Sequence, residues 1–230
     1  MAKASTKRPK RLAPEPGTGR DATKERLIQT AYRAFLRNGY LNTTIKGICA
    51  SAGYTRGAFY SNFQSKEELF ETIYFQANRR QTEQIRRAVH TAIDASQKKR
   101  SAESADLASI ICTALRTLNF GTGDEVQWFG MVTELRGVSV HDQASRKVLI
   151  KAQDDLYGQL ESLLTYVQNQ TGSTLALPVR DVVVLAVGLY ERQLNSNPPM
   201  PGETHTVNAV DSLERLLRAI TIDSGRSRKH

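Results

Sequence analysis

Apolar residues recur at the spacing of an α-helix through most of the chain, beginning after residue 20. Over Thr23–Asn38 they lie three or four positions apart, which predicts a first helix with Asp21 or Thr23 as its cap. Gly39 follows this stripe and is a typical helix stop. The apolar positions of the stripe are Leu27, Ile28, Ala31, Ala34 and Phe35.

Two shorter helices are predicted next. The second begins near Thr44 and ends at Gly53 after about two turns. The third runs over Thr55–Phe63, where Phe59 and Phe63 are four residues apart and are expected to face inward. The outer surface of the third helix is then left to Thr55, Arg56, Tyr60, Ser61 and Asn62.

A capping box is predicted at the start of a fourth, long helix. In the run "SKEE", the Ser65 hydroxyl would accept from the amide of Glu68, and the Glu68 carboxylate would reach back to the amide of Ser65. Two short helices joined by a glycine-containing turn and braced by a preceding helix form a helix-turn-helix. The second helix of such a motif can lie in the major groove of DNA.

The rest of the chain is also predicted to be helical. Apolar stripes occur in "SADLASIICTALRTLNF", "VLIKAQDDLYGQLESLLTYV", "PVRDVVVLAVGLYERQL" and "VNAVDSLERLLRAI". The segment "GTGDEVQWFG" interrupts this pattern. The sequence therefore predicts an all-α fold.

The excess positive charge lies in the first third of the chain. Residues 1–80 contain 15 Lys and Arg against 6 Asp and Glu, whereas residues 81–230 contain 17 of each class. A surplus confined to one segment is typical of a part that meets a polyanion. Residues 1–20 are basic and rich in Pro, Gly, Ser and Thr, which predicts a disordered arm. This arm is either a solvated tail or a source of phosphate or minor-groove contacts.

The segment "GYLNTTIKGICASAGYTRGAFYSNFQSKEELF" carries the features of a known family. These are Gly39, Thr43, Thr44, Ile48, Ala52, Gly53, Gly57, Phe59, Tyr60, Phe63 and residues 65–69. On them, the run over Thr23–Phe75 resembles the DNA-binding domain of the tetracycline-repressor (TetR) family of bacterial transcription regulators. The resemblance implies a three-helix helix-turn-helix DNA-binding domain at 21–68. It also implies a larger helical domain for effector binding and dimerisation at 69–225.

The resemblance assigns DNA contacts to particular residues. Arg56 has the donors to bind guanine O6 and N7, and a phosphate contact is nearly as plausible. Tyr60 resembles the family tyrosine that donates to a phosphate, and the small Gly57 lets the helix approach the groove. Ser61 and Asn62 could reach a phosphate or a base edge. The full set implied is Thr44, Lys46, Tyr54, Thr55, Arg56, Gly57, Tyr60, Ser61, Asn62 and Lys66.

The large aromatic and soft side chains of the C-terminal part are candidates for an effector pocket. A pocket lined by them would suit a small, mainly apolar molecule, and an ordinary core with its usual aromatics is the open alternative. The candidates are Phe120, Trp128, Met131, Tyr157 and Tyr190. We expect the charged residues Glu134 and Arg136 on the same segment to be solvated.

A helix-turn-helix of this size needs a dimer, because one recognition helix reads only a few base pairs and two helices read a palindrome. The resemblance assigns a homodimer interface to the last two helices. We therefore expect a regulator that binds a palindromic operator in double-stranded DNA as a homodimer. Repression is the family default, with release by a small-molecule effector that the sequence does not identify. A ligand-independent or architectural DNA-binding regulator is the alternative.

Other classes of function have little support. The four histidines form no i, i+4 pair and no cluster with cysteine, and the chain has neither G-x-S-x-G nor a glycine-rich phosphate loop. We therefore expect no enzyme, no metal site and no cofactor. Cys49 and Cys112 lie in apolar helical surroundings, which is typical of reduced, buried thiols. No run of about 18 apolar residues occurs, so we expect a cytoplasmic protein with no membrane partner.

Overall fold

Helices make up nearly all of the structure, a computed structural model that describes residues 19–98, 106–118, 124–196 and 206–222. Phe120 and residues 1–18 of the predicted arm lie outside these ranges. The helices are α1 (Arg20–Asn38), α2 (Ile45–Ala52), α3 (Arg56–Tyr60), α4 (Lys66–Lys98), α5 (Leu107–Arg116), α6 (Asp124–Ser139), α7 (Gln143–Thr171), α8 (Val179–Ser196) and α9 (Thr206–Ile220). The predicted all-α class is confirmed.

The first helix begins three residues earlier than predicted. Gly19 precedes it, and the Gly19 carbonyl accepts from the amides of Ala22 and Thr23. Arg20, which the sequence assigned to the basic arm, is thus the first residue of α1. The helix ends as predicted, because Gly39 has φ +77° and its amide donates to the carbonyl of Phe35.

Side-chain caps set the starts of α2 and α3. Thr44 accepts from the amide of Gly47 at 3.1 Å, and Thr55 accepts from the amide of Ala58 at 3.3 Å. Gly53 ends α2 in the left-handed conformation with φ +76°. The helices therefore form the tight helix-turn-helix that the spacing predicted.

The third helix is shorter than the predicted range 55–63. It ends at Tyr60, and the Ser61 hydroxyl and the Asn62 side-chain amide both donate to the carbonyl of Ala58. Such side-chain bonds compete with the backbone for the last carbonyls of a helix. Helical periodicity alone cannot predict this competition, so it placed the end of α3 too late.

The capping box at α4 differs from the prediction in one bond. The Ser65 hydroxyl accepts from the amide of Glu68 at 3.1 Å, as expected. The Glu68 carboxylate, however, accepts from the amide of Gln64 at 2.6 Å and not from that of Ser65. The carboxylate therefore satisfies a donor one residue earlier and fixes the entry of the chain into α4.

Two hydrophobic cores share α4. The first joins α1, α2 and α3 to the start of α4 and to residues of α6 and α7, including Met131 and Val148. The second joins the far half of α4 to α5, α7, α8 and α9. Cys49 lies in the first core and Cys112 in the second; both are free, and burial raises the pKa of both thiols, that of Cys112 to about 11.

A short strand pair that the sequence reasoning missed closes the C-terminal domain. Thr174–Leu175 (β1) pairs antiparallel with Thr221–Ile222 (β2). The amide of Ala176 also donates to the carbonyl of Ile220 at 2.8 Å. These bonds tie the connection between α7 and α8 to the end of α9.

The start of α4 is bonded to the turn between α1 and α2. Lys66 Nζ donates to the carbonyls of Tyr40 at 3.0 Å and Thr43 at 3.2 Å, and it lies 4.0 Å from the centre of the Tyr40 ring. The Tyr40 hydroxyl donates to Glu67 Oε1 at 2.8 Å. Burial, reinforced by Glu67, raises the pKa of Tyr40, and burial lowers the pKa of Lys66.

Glu67 keeps its charge in this half-buried place. Burial acts to raise its pKa, but bonds from its own amide, the Tyr40 hydroxyl and Ser65, together with the charge of Lys66, bring the net pKa below the ordinary 4.5. A carboxyl whose pKa is lowered by folding stabilises the folded state above its ordinary pKa. That contribution is lost as the pH falls through the lowered value.

We therefore expect Glu67→Gln to reduce the free energy of unfolding by about 1 kcal/mol at neutral pH. Urea unfolding should show that this difference from the wild type shrinks as the pH falls below 4.5, where Glu67 of the unfolded chain begins to bind a proton, and on through the lowered pKa of the folded state. Tyr40→Phe, which removes only the donor hydroxyl, should weaken the same pH dependence. A difference that stays constant through the acid range would contradict this account of Glu67.

Candidate nucleic-acid interface and effector cavity

The outer face of α3 is a polar surface held in place by buried phenylalanines. Phe59 is 0% and Phe63 2% exposed, so the inner face is fully covered. Tyr60 is 48% exposed, and its neighbours on the outer face are exposed as well. We call Thr55, Arg56, Gly57, Tyr60 and Ser61 the α3 face.

Two side chains of the α3 face contact each other. Arg56 Nη2 donates to the Tyr60 hydroxyl at 3.3 Å, and the guanidinium lies 5.8 Å from the centre of the Tyr60 ring. The bond to Tyr60 raises the pKa of Arg56, which stays charged at any relevant pH. The pair presents several hydrogen-bond donors on the outside of α3.

Ser61 and Asn62 lie at the end of α3 with part of their bonding capacity used. Both donate to the carbonyl of Ala58, at 2.9 Å and 2.8 Å. Asn62 is half-buried, and its Oδ1 has no hydrogen-bond partner in the described part of the chain. Of the two, Ser61 is the better exposed.

The other predicted contact residues have different environments. Thr44 and Lys46 are exposed at the start of α2. Tyr54 is half-buried in the turn before α3, and the Arg26 guanidinium lies 6.0 Å from the centre of its ring. Lys66 donates to two carbonyls of the α1–α2 turn, so the structure gives it a role in holding that turn.

Basic residues of α1 lie beside α3, and the sequence reasoning did not select them. Arg20 Nη2 donates to the carbonyl of Ser61 at 2.8 Å, which places a cation at the C-terminal end of α3. Lys24 Nζ lies 5.6 Å from the centre of the Phe63 ring. The excess of basic residues in the first third of the chain was consistent with cations near α3. Local sequence could not predict this hydrogen bond, because its two residues are 41 positions apart.

A cavity of about 360 Å³ lies among the helices. Its wall is mostly apolar and is built by α1, α4, α5, α6, α7, α8 and α9. From α1 and α6 the wall includes Ile28, Gln29, Tyr32, Trp128, Phe129 and Val132; from α8 it includes Val182, Val183, Ala186, Val187, Tyr190, Glu191 and Leu194. A cavity of this size and character suits a small, mainly apolar molecule.

The predicted effector residues divide between this cavity and other places. Trp128 and Tyr190 line it. Met131 is buried in the first core, and Tyr157 accepts from Gln153 at 2.7 Å with the Arg180 guanidinium 4.9 Å from its ring; neither lines the cavity. The segment around Trp128 was predicted to interrupt the helical pattern, but α6 begins at Asp124 and is continuous through it.

Glu134 and Arg136 are paired, which contradicts the expectation that they are solvated. The Glu134 carboxylate accepts from the amides of Tyr40 and Leu41, both at 2.9 Å. Arg136 forms two bonds to Glu191 on α8, at 2.5 and 3.0 Å. Partners 94 and 55 residues away in the sequence satisfy these charges, so local sequence could not reveal them.

Neither a metal cluster nor a membrane-spanning helix occurs in the described ranges. No group of three or more His, Cys, Asp and Glu residues there is arranged to hold a metal ion. Among the same residues, every helix is too short or too polar to cross a membrane.

Comparison with known proteins identifies the N-terminal part of the chain. Residues 27–73 match the family model described as bacterial regulatory proteins, tetR family. The HTH-type transcriptional regulator YerO of Bacillus subtilis 168, itself uncharacterized, is 48% identical over 46 residues, which are 20% of this chain and 16% of that protein. A probable repressor of the acrEF/envCD operon in Escherichia coli K12 is 39% identical over 54 residues, 24% of each chain. The matches thus span less than a quarter of these relatives.

The fold extends the similarity beyond the matched segment. A structure from Mesorhizobium loti assigned to the TetR-family transcriptional regulators has a TM-score of 0.65 at 15% identity, over 89% of this chain and 100% of that one. GusR of Salmonella enterica has a TM-score of 0.61 at 17% identity, over 90% and 96%. At these identities the likeness concerns the fold alone. Residues 27–73 are therefore similar in sequence to the tetR family of bacterial regulatory proteins, and the chain as a whole shares the fold of these solved structures.

Proposed function

We propose that this protein is a DNA-binding transcriptional regulator and not an enzyme. It represses by binding a palindromic operator as a homodimer, and a small, mainly apolar effector releases it. The observation that carries the proposal is the α3 face, an exposed polar surface on a helix whose opposite side is fully buried. The family of the matched segment and the operator repressor among its relatives support the same function.

The α3 face has the chemistry for the major groove. Arg56 supplies a planar set of donors that fits guanine O6 and N7 or a phosphate, and the Tyr60 hydroxyl fits a phosphate oxygen. Gly57 carries no side chain, and only the Thr55 hydroxyl lies near the position of its missing Cβ, at 3.6 Å. The backbone of α3 can therefore approach DNA closely at this residue.

Arg56→Ala is expected to weaken binding to a palindromic site, selected from random duplexes, by about 1 to 3 kcal/mol. Tyr60→Phe should weaken it by about 1 kcal/mol, because only one hydrogen bond is removed. Fluorescence anisotropy over a range of salt distinguishes the contacts: loss of a phosphate contact lowers the salt slope by about 1, whereas loss of a base contact relaxes sequence preference.

The matched control is Arg86→Ala, which removes an exposed arginine from the middle of α4. It should leave operator affinity unchanged. Equal affinities of the Arg56 and Tyr60 variants and the wild type would remove these residues from the interface.

The homodimer is proposed to form through the outer face of α8. Val184 and Leu185 are 42% and 44% exposed there, beside the exposed Gly188. The opposite face of the same helix lines the cavity, so α8 is apolar on both sides. An apolar strip with a small residue at its centre allows two helices to approach closely.

Leu185→Glu is expected to convert the dimer into monomers, because it buries a charge in the proposed interface without a partner. Sedimentation equilibrium measures the change, and specific DNA binding should fall with it. Ile150→Glu places the same charge on α7, at an apolar residue that is 56% exposed, and should remain dimeric. A dimeric Leu185→Glu protein would place the interface elsewhere.

Effector release is proposed to act through helices that serve both sites. The helix α4 begins against the α1–α2 turn and lines the cavity further along its length. A molecule that favours one arrangement of α4 over another shifts the population of DNA-binding conformations. A coupling of about 1 to 3 kcal/mol changes operator affinity about 5- to 150-fold.

The neutral apolar dye N-phenyl-1-naphthylamine tests this cavity. Trp128 lines it and is the only tryptophan of the chain, so binding should change tryptophan fluorescence. Saturating dye should weaken operator binding, and Ala186→Phe, which places a phenyl ring in the cavity, should weaken dye binding. Dye that binds at Trp128 without changing operator affinity would favour the ligand-independent regulator.

A further inference from the structure

The helix α6 is bonded directly to the turn that precedes the helix-turn-helix. Both oxygens of Glu134 are used: Oε2 accepts from the amide of Tyr40 and Oε1 from that of Leu41, each at 2.9 Å. Backbone amides bonded to a charged carboxylate form stronger hydrogen bonds than neutral pairs do. Two parallel bonds also fix the orientation of the turn relative to α6.

The turn is built to let this carboxylate approach. A Cβ placed on Gly39 would lie 2.5 Å from Glu134 Oε2, and the φ of +77° at Gly39 is one that other residues rarely adopt. The glycine therefore does two things at this position. It ends α1, and it leaves room for a side chain from another domain.

The same helix forms part of the cavity wall. Trp128 and Val132 line the cavity, and the Trp128 ring stacks on Phe70 of α4 with centroids 5.9 Å apart. Trp128 and Glu134 are six residues apart, or about 9 Å along the helix axis. A short stretch of hydrogen-bonded helix therefore joins the cavity wall at Trp128 to the carboxylate that binds the turn.

A second ion pair ties α6 to the cavity. Arg136 binds Glu191 with two bonds, and Glu191 itself lines the cavity on α8. Glu134 and Arg136 are two residues apart and so point to different sides of α6. One side of α6 is therefore bonded to the α1–α2 turn, and the other side is bonded to α8, the helix proposed to form the dimer.

We propose that Glu134 is a positioning residue that couples occupancy of the cavity to the orientation of the helix-turn-helix. Filling the cavity displaces α6, and the bonds from Glu134 carry the α1–α2 turn with it. This inference rests on the proposed function for its biological meaning. The mechanical link itself can be measured without DNA.

Hydrogen exchange of the Tyr40 and Leu41 amides, followed by NMR, reports the link directly. In Glu134→Gln the side chain keeps one acceptor oxygen in place of two, so at least one of the two amides should exchange about tenfold faster. In the wild type, saturation with N-phenyl-1-naphthylamine should change their exchange, and in Glu134→Gln it should not. If the dye fails to bind, Ala186→Phe serves in its place, because the phenyl ring occupies part of the cavity. Exchange of the same two amides is then compared between Ala186→Phe with Glu134 present and Ala186→Phe with Glu134→Gln.

The matched control is Glu71→Gln. Glu71 pairs with Lys151 and links α4 to α7, away from the turn. This variant loses an inter-helix carboxylate as Glu134→Gln does, but it should keep the response of the Tyr40 and Leu41 amides. Loss of the response in both variants, or in neither, would overturn the assignment to Glu134.

Operator binding supplies the second readout. The ratio of dissociation constants with and without dye should be large in the wild type and should fall to within about twofold of unity in Glu134→Gln. A purely structural role would weaken binding in both states and leave the ratio unchanged, which would contradict the proposal. Failure to select any operator would instead contradict the proposed function, while the exchange measurement still decides the link.

Discussion

A helix of five residues cannot hold itself in place, and the rest of the structure follows from that constraint. Isolated helices shorter than about 12 residues are marginal in water, because the cost of nucleation exceeds the gain from so few hydrogen bonds. The position of α3 is therefore set by the burial of Phe59 and Phe63. The position of the α3 face therefore depends on the packing of the core to which those two rings belong.

That core is not confined to the first three helices. It contains Met131 from α6 and Val148 from α7 together with residues of α1, α2 and α3. The polar groups follow the same arrangement: Lys66 binds carbonyls of the α1–α2 turn, and Glu134 binds its amides. Because charged groups from both α4 and α6 complete one turn, neither helix can move without affecting it. The predicted domain boundary at residue 68 does not coincide with a boundary in the packing, because the first core contains residues from both sides of it.

The features that the sequence predicted depend on contacts within one helical turn. The features that it did not predict depend on contacts between residues far apart in the chain. Caps at Thr44, Thr55 and Ser65 act within one helical turn, so their residue types locate the helix starts directly. The inward faces of α1 and α3 follow from periodicity in the same way. The pairing of Glu134 with the turn depends on how distant helices pack, and periodicity contains no information about partners 94 residues apart. For the same reason, side-chain type predicted Trp128 and Tyr190 as cavity residues but could not separate them from Met131 and Tyr157, which do not line the cavity.

The composition of the cavity wall explains how the proposed effector can act on the helix-turn-helix from a short distance. A ligand shifts a conformational equilibrium only as far as its contacts differ between the two states. Here part of the wall is α1 itself, through Ile28, Gln29 and Tyr32, and another part is the α6 helix that binds the turn. Any movement of α1 relative to α4 therefore changes the shape of the cavity. Since the ion pair with Arg136 already neutralises Glu191, the proposed apolar ligand would not leave that charge unpaired, and its preference for one of the two states would have to arise from the shape of the cavity.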